Sequence, residues 1–184
     1  MPPVSEPADA SLRIRPETPA DSAAIDEVVG RAFEGPVEVE LVRNIRASAN
    51  YVAKFSLVAT RAGAVIGHVM LSYVELDDGS SRHRVLSLAP VAVMPEAQKQ
   101  GVGSTLIRAA LRAADADGEP MVILEGSPVY YGRLGFSDSR DSGIHFALPD
   151  WAPREAGQVY KLSTYHHAIK GNVVYPPAFP TTAE

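Results

Sequence analysis

The stretch Gln98-Lys99-Gln100-Gly101-Val102-Gly103-Ser104 joins an apolar extended run, VLSLAPVAV, to a segment that turns apolar at helical spacing. A helix N-terminus carries unpaired backbone N–H groups and a partial positive charge. Glycine lets an anion reach those groups without meeting a Cβ. Gly101 and Gly103 therefore point to a phosphate or pyrophosphate site at the mouth of the helix. The same glycines would serve a tight strand-to-helix turn, and from these two residues alone both readings stand. Two familiar phosphate loops do not fit. A Walker loop ends in Gly-Lys-Ser/Thr, whereas this chain has Gly103-Ser104-Thr105. The dinucleotide fingerprint needs a third glycine after a parallel strand; Leu106 stands at that position, and the preceding strands read as antiparallel.

The elements that must hold this stretch follow from periodicity and turn residues. Residues 11–16 alternate and predict a short strand. Thr18-Pro19 offers an N-cap with proline at the first helical position, so a helix is expected to about Phe33, with Ile25, Val28, Val29 and Ala32 inward. Gly35-Pro36 breaks the chain. A second helix is expected over 37–47, with Val39, Leu41, Val42 and Ile45 as its apolar positions and Glu38 and Glu40 at its favourable end. Residues 54–60 and 65–74 read as a hairpin about Arg61-Ala62-Gly63. After the Asp77-Asp78-Gly79 turn, a third strand is expected from about 84 to 93. Val102, Leu106, Ala109, Ala110 and Ala113 then predict an amphipathic helix over about 101–116. Residues 121–124 predict a buried strand beside the one before the helix, completing a strand-helix-strand crossover. Ser127-Pro128 starts a short helix that Gly135 stops. Residues 158–163 are expected to form the last strand, with an irregular proline-rich tail after it. The reading is a mixed α/β (α+β) fold: antiparallel strands leading into one crossover. Residues 1–10 are expected to be a disordered lead-in, and 11–184 a single domain.

Bulk composition narrows the function. Hydrophobic residues make up 46% of the 184, enough for one compact domain with a proper core. The net charge of −5 comes without a basic stripe, so no nucleic-acid partner is expected. The absence of cysteine excludes disulfides, thiolate metal sites and a cysteine nucleophile. No window approaches the ~20 apolar residues of a membrane span, so no membrane partner is expected and a cytoplasmic location is the default. His166 and His167 are adjacent and share no helix face, so no metal is expected.

Gln98-x-x-Gly101-x-Gly103, directly after LSLAPVAV, resembles the acetyl-CoA signature Q/R-x-x-G-x-G/A of the GNAT superfamily of N-acetyltransferases. VIGHVMLS resembles that family's central hairpin strand. YYGRLGF, residues 130–136, resembles its aromatic-Tyr-x-x-x-Gly-Phe element. LEGSPVYYGRLGF with the YPPAF tail is most similar to a bacterial branch of predicted acetyltransferases. The resemblance covers residues 12–136 well and the remainder loosely.

The resemblance implies acetyl-CoA as acetyl donor and an amine as acceptor, either a small molecule or a protein amino group. Pantetheine would lie along the backbone of Val91, Ala92 and Val93, where Pro90 lacks an N–H and favours a local break in the ladder. The pyrophosphate would meet backbone groups of Lys99, Gln100, Gly101, Val102, Gly103 and Ser104, with Gln98 as the first signature residue. A backbone N–H near Val91 would stabilise the oxyanion. Tyr131 matches the tyrosine that protonates the leaving thiolate; an unperturbed phenol is still protonated at neutral pH. Its neighbour Tyr130 is then the packing residue and Phe136 a core residue. No general base is assigned: Glu40, Glu75 and Glu125 each read equally as solvated acids, and His68 as a structural strand histidine. The alternative function is a non-catalytic acyl-CoA sensor or interaction domain, which keeps the glycine loop without needing Tyr131. Homodimerisation through a sheet edge or the C-terminal segment is compatible with the sequence.

Overall fold

The computed structural model describes residues 11–180; the expected lead-in, 1–10, lies outside them. Strand β1 (Arg13–Pro16) pairs antiparallel with β2 (Tyr51–Arg61), β2 with β3 (Ala64–Asp77), and β3 with β4 (Arg82–Val93). Between β1 and β2 come α1 (Ser22–Phe33) and α2 (Val37–Arg46). A 3-10 turn, Pro19–Asp21, leads into α1; there the Thr18 N–H donates to Asp21 Oδ2 at 2.7 Å, and Arg15 grips both Asp21 oxygens. After β4, helix α3 (Val102–Ala116) crosses over to β5 (Met121–Glu125), which lies parallel to β4.

Two irregularities matter for function. Val69 pairs with Val91, but Leu71 pairs with Leu88, so Ala89 and Pro90 together oppose Met70. The extra residue is a bulge at the proline, whose missing N–H cannot serve the ladder. On the other side of β4, pairing with β5 is confined to Leu86–Val122 and Ser87–Ile123. From there to their C-terminal ends the two strands part, and among the described residues no strand lies beside the β5-facing edge of β4 over 91–93.

The sheet continues from β5 to β8 (Gly157–Lys161) and β6 (Ser137–Asp138). The proline-rich tail contains a strand that sequence reading missed. β9 (Gly171–Val174) pairs with Glu75–Asp77 of β3 and with β7 (Ile144–His145). The cause is tertiary: pairing between β2 and β3 ends at Tyr51–Ser72, leaving the last turn of β3 an open edge that the tail fills.

α3 covers one face, where Leu106, Ile107 and Ala110 pack against Leu57, Val69, Leu86, Val122 and Leu124. α1 and α2 cover part of the other face through Ile25, Val29, Leu41 and Ile45 over Val58, Met70 and Ala92. The rest of that face, including Leu76, Met121, Ile123 and Val159, is closed by C-terminal residues such as Ile169, Val173 and Phe179. No described helix is long and apolar enough to cross a membrane.

Candidate active site

The loop from β4 to α3 turns on two residues with left-handed backbone, Lys99 (φ 59°) and Gly101 (φ 81°). Alternation of that kind points neighbouring N–H groups toward one concavity. Gly101 caps α3, and the first helical bond runs from the Thr105 N–H to its carbonyl at 3.0 Å. The N–H groups of Val102, Gly103 and Ser104 therefore have no intrahelical acceptor. The loop is braced from three sides. Gln98 Nε2 donates to the Val93 carbonyl at 3.1 Å, Met94 N–H donates to the Ile66 carbonyl at 2.9 Å, and Arg31 of α1 pairs with Glu96 at 3.1 Å. Gln100 faces away: its amide bonds the Glu96 carbonyl and Arg61.

Two contiguous cavities open along this loop. One, about 280 Å³, is lined by Val93, Gln98, Lys99, Gly101, Gly103 and Ser104, with Val102 and Tyr130. The second, about 250 Å³, continues along Val91, Ala92 and Val93 to Phe33 of α1, again with Tyr130. Apart from Gln100, every residue expected to contact the cofactor lines one or the other. A Cβ on Gly103 would stand 3.1 Å from the Tyr130 hydroxyl and 3.6 Å from Val93 Cγ2, so a side chain there would invade the groove. A further cavity, about 310 Å³, lies between α3 and β8 and contains none of the expected residues.

The two tyrosines sit differently from the sequence expectation. α4 (Pro128–Gly132) begins at Ser127, whose hydroxyl accepts from the Tyr130 N–H. Tyr130, expected to pack, is 40% exposed and lines both cavities. Tyr131 is the more enclosed of the two, edge-on to Tyr130 at 4.9 Å and to Phe136 at 5.6 Å. A Cβ on Gly126 would run into the Tyr131 ring, so this close approach requires glycine. Burial pushes the Tyr131 phenol up to about 12, and it stays protonated through neutral pH. Its hydroxyl makes no hydrogen bond to a described residue.

The candidate bases are scattered. Glu40 is exposed on α2, and Glu75 pairs with Arg82 at 2.8 Å. His68 is fully buried beside Glu17. Glu125 ends β5 and accepts a hydrogen bond from Tyr175 at 2.7 Å, a partner 50 residues away that no local pattern announces.

An antiparallel sheet with one crossover, a parting between β4 and β5, and an open helix start at the end of β4 together define an acyl-transferase architecture. The profile of the family described as "Acetyltransferase (GNAT) domain" matches residues 13–138. The chain belongs to this family and is an acetyltransferase. It is 30% identical to the uncharacterized N-acetyltransferase YhbS of Escherichia coli K12, over 83% of this chain and 88% of that protein. It is 32% identical to the uncharacterized N-acetyltransferase YjhQ of the same organism, over 64% of this chain and 65% of that one. The crystal structure of E. coli YhbS in complex with CoA superposes with a TM-score of 0.84 at 28% identity, covering 98% of this chain and 97% of that one. A GNAT family acetyltransferase from Brucella melitensis, solved with acetyl-CoA, gives a TM-score of 0.73 at 30% identity, covering 93% and 99%.

Proposed function

We propose that the protein moves an acetyl group from acetyl-CoA to an amine by direct attack. The observation that carries this reading is the continuity of the unpaired β4 edge, 91–93, with the uncapped start of α3. The residues fit the cofactor. Free N–H groups of Val102, Gly103 and Ser104 suit a pyrophosphate, the open strand edge suits the pantetheine amides, and Lys99 adds a positive charge at the rim. When bound, acetyl-CoA supplies an electrophilic thioester carbonyl and a thiolate leaving group.

The chain's own groups do the rest. A backbone N–H near Val91 donates to the carbonyl oxygen as negative charge develops there. The amine attacks as the free base, its proton lost to water, while Tyr131 delivers its hydroxyl proton to the departing sulfur and is reprotonated from solvent. The uncommitted hydroxyl of Tyr131 supports that role; the raised pKa keeps the phenol protonated but also holds that proton more tightly. A second reading gives the proton to Tyr130, because Tyr130 is the tyrosine that lines both cavities. The net charge of −5 favours a cationic acceptor.

The test is incubation with acetyl-CoA and a panel of polyamines, amino acids, aminoglycosides and lysine peptides, following CoA thiol and product mass. The protein has no cysteine and so no thiol background. Acceptor-dependent thiol release with a matching acetylated product is expected. Tyr131→Phe should lower kcat by about 10²-fold or more while acetyl-CoA binding is retained. If Tyr130→Phe shows that loss and Tyr131→Phe does not, the second reading replaces the first. Acetyl-CoA binding with no turnover on any amine would favour the sensor function.

A further inference from the structure

The parting of β4 and β5 connects the two faces of the sheet. The groove along β4 runs from the start of α3, past Val91 and Val93, to Ala32 and Phe33 of α1. Along β5, Val122 and Leu124 face α3, whereas Met121 and Ile123 face away. Glu125 is next in that alternation and emerges on the face opposite α3. It does so two residues past the last β4–β5 pair, where the strands have separated.

The C-terminal segment reaches the same place. After β9 the chain leaves the sheet edge and crosses this face, where Phe179 packs with the α1–α2 cluster and also with the cluster around Met121 and Ile123. The Tyr175 ring meets Phe179 with centroids 4.8 Å apart, and its hydroxyl donates to Glu125 Oε1 at 2.7 Å. Burial, followed by the charge and hydrogen bond of Glu125, raises the Tyr175 phenol pKa, so Tyr175 keeps the proton it donates to Glu125. Glu125 is exposed and forms no ion pair with a described residue. An unpaired carboxylate beside aromatic rings has the chemistry of an alkylammonium site, through charge-assisted hydrogen bonds and cation–π contact.

We propose that Glu125 and Tyr175 form the subsite for the acceptor's ammonium group, with the C-terminal segment as one of its walls. The inference rests on the acetyl-transfer reading and extends it: the acceptor comes past Glu125 to the gap between β4 and β5, beside the donor groove along β4. Tyr175 orients the Glu125 carboxylate and leaves its second oxygen for the ammonium.

Two measurements on the full chain test this. In the first, the amide signals of Gly126 and Tyr175 are followed by NMR while n-butylammonium chloride or n-butanol is added. The ammonium is expected to shift both signals and the alcohol is not; Glu125→Gln, which still accepts from Tyr175, is expected to abolish the difference. In the second, with an amine that the protein acetylates, Glu125→Gln should raise the acceptor KM about tenfold or more, and Tyr175→Phe about threefold. The acetyl-CoA Kd should stay within about twofold in both. Absence of an ammonium-specific shift overturns the subsite, as does an unchanged acceptor KM in both variants. A loss confined to acetyl-CoA affinity overturns it too. An ammonium-specific shift in a protein that acetylates no amine would keep the subsite and sink the transfer reading instead.

Discussion

Glu17 is the most heavily bonded carboxylate of the described residues. Arg46 holds both its oxygens at 3.0 and 3.1 Å, Tyr51 and Ser56 each donate at 2.7 Å, and His68 Nε2 lies 3.1 Å away. Burial alone would raise its pKa, but hydrogen bonds from His68, Arg46, Tyr51 and Ser56 outweigh it and hold Glu17 well below the usual carboxylate range. Ser56 spends its one proton on Glu17, so it accepts from His68 Nε2 at 3.0 Å. That assigns the Nε2–H tautomer and leaves buried Nδ1 without a partner. A second proton there would find no acceptor, and burial lowers the His68 pKa despite Glu17. Both folded pKa values lie below their unfolded ones, so both groups stabilise the fold at higher pH and cease to do so as pH falls. The urea midpoint should decline from about pH 7 to 5.5 through His68, and more steeply below about pH 4.5 through Glu17. His68→Gln should remove only the first decline; a flat wild-type midpoint over that range would mean that His68 takes up a proton as readily folded as unfolded. Glu17→Ala, which strands the Arg46 guanidinium, should cost about 3 kcal/mol in urea unfolding.

Among the elements, β9 and the segment after it have the least local signal and the widest consequence. GNVV holds only two strongly apolar residues and precedes Tyr175-Pro176-Pro177, so its composition reads as a loop. It forms a strand because β3 outruns β2 and offers an unpaired edge. Phe179 then packs against two clusters, whereas its neighbour Ala178 joins only the α1–α2 one. Phe179→Ala should lower stability by about 2 kcal/mol, since the ring is partly buried. The same variant should weaken acceptor use more than acetyl-CoA binding. Equal loss of both in kinetics and calorimetry would mean that the tail supports the whole sheet and not one wall of the gap. By contrast, the crossover β4-α3-β5 was legible in the sequence. A helix-period run after a glycine pair and before a short apolar strand has few other arrangements.

At the scale of the molecule, an acidic protein is expected to draw in a cationic acceptor over distances comparable with the Debye length. Raising the salt from about 20 to 200 mM should therefore raise the KM of a polyamine severalfold and leave that of a weakly charged amine nearly unchanged. Initial rates with one acceptor of each kind check this. Equal salt responses would place acceptor recognition in close contacts alone. The sheet carries two unequal covers. α3 occupies one face, α1 and α2 take part of the other, and the parted strands join the two.

By itself the sequence determined the order of the elements, the glycine loop at the start of α3, the break at Pro90 and the family, because each is written in residues near one another along the chain. Helical period, turn residues and caps act over a few positions, and the two cavities proposed for the cofactor are lined mostly by residues of 91–104. Tertiary structure decided the rest. Adjacent tyrosines on a one-turn helix project in different directions, and only Gly126, Phe136 and Val93 around them settle which one packs and which lines the groove. Glu125 and Tyr175 are 50 residues apart, and Glu17 and His68 51 apart. Such pairs exist only once the sheet has brought distant strands into register, which no local pattern encodes.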